Sequence, residues 1–63
     1  MSPKQAAQKA FDEYCQMAME SGGGESISGV DFRANAWSFV EIDCSANWQF
    51  EFQRQLEAIA NCL

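Results

Sequence analysis

Apolar side chains recur at spacings of three and four along the first twenty residues, and at a spacing of two after residue 26. In the first segment Ala7, Ala10, Phe11, Tyr14, Met17 and Ala18 fall on one stripe of a helix, while Lys4, Gln8, Asp12, Glu13 and Gln16 occupy the rest. The pattern predicts a helix over 2–20. Ser2 suits the N-cap, Pro3 the first helical position, and Gln5 completes a Ser-x-x-Gln capping box. Ser21-Gly22-Gly23-Gly24 supplies a stop, because glycine takes the left-handed conformation that ends helices. A phosphate-cradling loop would need a strand before those glycines and Lys-Ser/Thr after them, and neither is present.

From Ser26 onward the alternation suggests strands. Val30, Phe32 and Ala34 alternate with Asp31 and Arg33, and Ala34-Asn35-Ala36 offers a turn. Trp37 to Cys44 is rich in aromatic and β-branched residues and reads as a second strand, followed by a turn at Cys44-Ser45-Ala46-Asn47. Trp48-Gln49-Phe50-Glu51-Phe52-Gln53 alternates strictly and reads as a third. A rival helix from Ser45 would align Trp48, Phe52, Leu56, Ile59 and Leu63 on one stripe. That helix would leave Phe50 exposed beside Gln53, Arg54 and Glu57, which favours the strand. Residues 54–62 then form a short helix burying Leu56, Ile59, Ala60 and Leu63.

The expected fold is α+β in the order α-β-β-β-α. Three sequential strands form an antiparallel meander, with two helices on one face. The inner face of the sheet would carry Val30, Phe32, Val40, Ile42, Trp48, Phe50 and Phe52. Residues 1–63 make a single domain.

Composition supports a packed domain. Of the 63 residues 48% are hydrophobic and 13% aromatic, which is incompatible with the sparse apolar content of disorder. Nothing resembles a run of about 20 apolar residues that would span a membrane. Lys4 and Lys9 are not followed by the apolar run of a secretory signal. The expected location is the cytoplasm, that of a host cell if the chain is phage-encoded.

Candidate chemistry is sparse. Cys15, Cys44 and Cys62 are widely spaced, with no CxxC pair and no histidine to complete a zinc site. Reduced, partly buried thiols are expected, although one disulfide or a dimer joined through Cys62 stays open. The absence of histidine removes the commonest general base and the usual partner of a cysteine nucleophile. Carboxylate pairs such as Asp12/Glu13 and Glu41/Asp43 read as solvated charge, and no spacing resembles a calcium loop. No enzymatic activity, cofactor or metal is expected.

Charge is more informative. Four basic residues against nine acidic ones give a net charge of −5. Between Asp12 and Gln53 the acids stand at 12, 13, 20, 25, 31, 41, 43 and 51, against Arg33 alone. Such a field disfavours direct contact with nucleic acid or anionic membranes and favours a positively charged protein surface. In the meander, Asp31, Glu41, Asp43 and Glu51 would share the open face with Trp37 and Phe39. Same-face residues of a strand lie roughly 6.6 Å apart, close to the phosphate spacing of a nucleic-acid strand.

In size, acidity, missing catalytic residues and compact α+β design, the chain resembles small phage or mobile-element inhibitors, including anti-CRISPR proteins and other DNA mimics. The resemblance is one of profile and carries no signature motif. It implies an inhibitor that blocks a basic nucleic-acid-binding site, such as that of a CRISPR effector complex. Asp31, Glu41, Asp43 and Glu51 would then be electrostatic contacts, with Trp37 and Phe39 as apolar anchors. The alternative is a structural or adaptor module that self-associates through the aromatic pair, and on either reading the chain is expected to be a monomer or weak homodimer.

Overall fold

The capping signal at the start of the chain folds as its residues dictate. The Gln5 N–H donates to Ser2 Oγ at 3.2 Å, and the Ser2 N–H donates back to Gln5 Oε1 at 3.2 Å. This box opens helix α1, Pro3–Glu20, in a computed structural model that describes residues 1–20 and 27–63. The expected glycine stop at 21–24 lies outside the described residues. Ala6, Ala7, Ala10 and Tyr14 are buried, and Phe11 packs against them. Three alanines on the inner face leave room for neighbouring helices to approach closely.

The second segment is a helix too. α2 spans Gly29–Ala36, and its N-cap Ser28 accepts a hydrogen bond from the Asp31 N–H at 3.4 Å. Phe32 and Ala36, one turn apart, are its buried residues. Val30 is 68% exposed, where the strand reading had placed it in the core.

The third is again helical. α3 spans Ala46–Ala60, with Ser45 as N-cap accepting from the Trp48 N–H at 3.4 Å. Trp48, Phe52, Leu56 and Ile59 form one inner stripe, and the Trp48 and Phe52 rings stack at 5.1 Å. The helix expected over 54–62 is the second half of this longer one, and Leu63 beyond it is exposed.

No strand occurs among the described residues, so the expected α-β-β-β-α meander is overturned. The fold is a bundle of three helices. Alternation over six residues at 48–53 was weaker than the stripe that runs on through Leu56 and Ile59, together with a cap at Ser45. Residues 37–45 form an irregular strap instead of a strand. The Ser38 and Phe39 N–H groups still donate to Asn35 and Ala36 carbonyls, so the chain leaves α2 through a helical turn. Trp37, Phe39, Val40 and Ile42 pack from this strap onto the core.

The ends of the helices fix their directions. The Trp48 indole N–H donates to the Met1 carbonyl at 2.9 Å, which places the start of α3 beside the start of α1. Tyr14 meets Ser28 and Asp31, so α2 starts beside the later turns of α1. A Cβ built on Gly29 would lie 2.9 Å from the Ala60 carbonyl oxygen, so α2 also starts against the end of α3. The bundle therefore runs up, down and up. Phe32 joins its layers, meeting Phe11 edge-on at 5.4 Å and Tyr14 at 5.5 Å.

Candidate functional site

At the end of the bundle where α1 and α3 begin, the strap closes over a cleft of about 160 Å³. Its walls are Met1, Glu41, Ile42, Asp43 and Trp48. Two of the five carry carboxylates, and one is the indole that anchors Met1.

Each wall has a structural origin. Asp43 is held by the start of α3: the Ser45 N–H donates to Asp43 Oδ1 at 2.8 Å, and Gln49 Nε2 donates to the Asp43 carbonyl at 2.8 Å. Trp48 is fixed on two sides, by stacking on Phe52 and by its bond to Met1. Ile42 turns inward onto the core, which turns its neighbours Glu41 and Asp43 outward. Glu41 is exposed and makes no hydrogen bond or ion pair. Two carboxylates, of which Asp43 is held by the Ser45 N–H, and an indole in one cleft can receive a cationic side chain, through charge on one side and the indole face on the other.

No family model matches the chain, no curated protein matches its sequence, and no solved structure matches its fold.

The six residues expected to share one open face are dispersed. Only Glu41 and Asp43 come together, in the cleft. Asp31 binds the Tyr14 hydroxyl at 3.1 Å, and Asn35 Nδ2 donates to its Oδ1 at 3.2 Å. With a rise of about 1.5 Å per residue, Tyr14 lies about 17 Å along α1 from Pro3, so Asp31 stands far from the cleft. Glu51 is half-buried on α3 and faces Arg54 at 3.9 Å, in the one ion pair found among the described residues.

Trp37 and Phe39 are not open anchors. Both are half-buried against the core, and the Trp37 ring meets Phe52 edge-on at 4.8 Å. The ladder of carboxylates at strand spacing does not form, because its positions lie on two helices and a strap. The three cysteines are free, but only Cys15 is half-buried. Cys44 and Cys62 are exposed, contrary to the expectation of core thiols.

Two features escaped the sequence reading. Trp48, expected in the core of a sheet, packs on the helical core through Phe52 and also lines the cleft. Phe50 was assigned to the core of the same sheet and is 65% exposed. The helical wheel from Ser45 carried the signal for Phe50, since it groups this ring with Gln53, Arg54 and Glu57.

Among the described residues, no group of three potential ligands is placed to hold a metal ion. No helix there is long and apolar enough to cross a membrane.

Proposed function

We propose that this chain is a non-catalytic protein-binding domain that docks on the basic, nucleic-acid-binding surface of another protein and so blocks it. The cleft at Glu41, Asp43 and Trp48 receives a Lys or Arg side chain of that surface, and the net charge of −5 steers the approach. Binding takes place in the cytoplasm. Nucleic acid itself is not the partner, since its phosphates would meet an excess of carboxylates.

The observation that carries this reading is the pairing of Glu41, which has no internal partner, with Asp43 and an immobilised indole in one cleft. Mimicry of phosphate spacing plays no part in it. What supports an inhibitor is the charge excess together with a cleft of about 160 Å³ lined by two carboxylates and an indole.

Amide chemical shifts during titration with an arginine-rich peptide test the proposal. Shifts centred on residues 41–48 that fade as salt is raised support it. The double variant Glu41→Gln/Asp43→Asn removes two charges and keeps an oxygen acceptor for the Ser45 N–H. Loss of the peptide shifts in that variant assigns the contact to the cleft. Unchanged shifts would sink the assignment.

A further inference from the structure

The side of α3 away from Trp48 carries a knob and a groove close together. Phe50 is 65% exposed and makes no ring contact within the chain. It lies two residues past Trp48, about 200° around the helix, and so nearly opposite the cleft. One to two turns further on, Gln53 and Glu57 share its face of α3. They form one wall of a groove of about 290 Å³, whose other wall is Arg33 and Trp37 and whose floor includes the buried Leu56.

The groove has room for a phenyl ring, and its half-buried Trp37 offers that ring an apolar surface. The charges around it are mixed. Arg33 and Arg54 are two of only four basic residues, and both flank this face alongside Glu57. Arg33 and Glu57 form no ion pair within the chain. A net negative protein repels a second copy over most of its surface, and here the repulsion is locally cancelled.

We propose that this face is the interface of a two-fold symmetric homodimer, with the α3 helices antiparallel and Phe50 of each copy seated in the groove of the other. An interface about a two-fold axis must be self-complementary, and a knob beside its own matching groove meets that condition. When Phe50 opposes Glu57 of the second copy, Gln53 and Arg54 lie at the axis. Arg54 then comes within about one turn of Glu57 across the pair, and the contact occurs twice. The occupant is a second copy because one surface holds both knob and groove, with charges of both signs. A basic partner surface would meet Arg33 and Arg54 unfavourably here.

A stable interface covers roughly 800 Å² of each partner, close to a fifth of the 4317 Å² that this chain exposes. The face around α3 is modest by that measure, so the dimer is concentration-dependent. This surface is separate from the acidic cleft, and the two stand or fall independently.

Sedimentation equilibrium, with a thiol reductant to prevent covalent pairing through Cys44 and Cys62, tests the dimer. The wild-type mass should rise from monomer toward dimer with concentration, while Phe50→Asp stays monomeric with an unchanged far-ultraviolet circular dichroism spectrum. Arg54→Glu and Glu57→Arg should each weaken association by tenfold or more, and the double exchange should restore it in part. Three results overturn the proposal: a wild-type monomer up to about 1 mM, where even weak dimers are populated; a Phe50→Asp dimer; or a double exchange no better than either single change.

Discussion

The hydroxyl of Tyr14 donates to the carboxylate of Asp31 at 3.1 Å while accepting the Ser28 N–H at 3.3 Å. One buried phenol thus ties α1 to the first turn of α2. It also gives Asp31, acidic and exposed, a role in joining the two helices. Tyr14→Phe removes both hydrogen bonds, and we expect a loss of about 1–2 kcal/mol in urea denaturation. Asp31→Ala should cost a similar amount, since it also removes an acceptor for Asn35. A Tyr14→Phe protein as stable as wild type would contradict the tie.

Gly29 makes a second constraint, of shape. A Cβ there would stand 2.9 Å from the Ala60 oxygen and 3.1 Å from the Ala60 Cβ, so α2 and α3 would have to separate. In an open helix, Gly→Ala stabilises by about 1 kcal/mol. Here the clash outweighs that gain, and Gly29→Ala should lower stability by about 1–2 kcal/mol. A higher melting temperature for the variant would show that the two helices do not meet at this point.

Phe50 and Phe52 distinguish a helix from a strand directly. In a strand both rings would face the core and both truncations would be costly. On α3 only Phe52 is buried, against Trp37 and Trp48. Phe52→Ala should cost about 3–5 kcal/mol, enough to unfold most of so small a domain. Phe50→Ala should change stability by no more than about 0.5 kcal/mol at monomeric concentrations. Comparable losses at both positions would contradict the helix.

The same pair shows what could be read from the sequence. The first helix was legible because its cap, its proline and its stripe of apolar residues all agree. The later segments were not, because in short stretches alternation competes with helical spacing and aromatic content favours the strand reading. An exposed Phe50 speaks against a helix at 46–53 only where large rings are always buried, and an exposed ring is also what an interface requires. Of the candidate contacts, Glu41 and Asp43 were legible as neighbours at either secondary structure. Their cleft was not, since it depends on Met1 and Trp48 meeting across the whole chain.

The helix cap beside the cleft separates structure from charge at Asp43. Asp43→Ala removes the acceptor for the Ser45 N–H and should cost about 1 kcal/mol of stability. Asp43→Asn keeps an acceptor and should be nearly neutral in stability while lowering affinity for a basic partner. Equal stability losses in thermal unfolding of the two variants would show that charge, and not the hydrogen bond, holds this turn.

We propose that the Glu41/Asp43 cleft docks on a basic, nucleic-acid-binding surface. The most direct measurement compares partner capture from host lysate by wild type and by Glu41→Gln/Asp43→Asn, at low and high salt, with DNA or RNA as competitor. We predict that wild type retains a nucleic-acid-binding protein at low salt, releases it at high salt, and yields it to added nucleic acid. The double variant should fail to retain it. A partner held equally by both proteins, or undisturbed by salt and by nucleic acid, would contradict the claim.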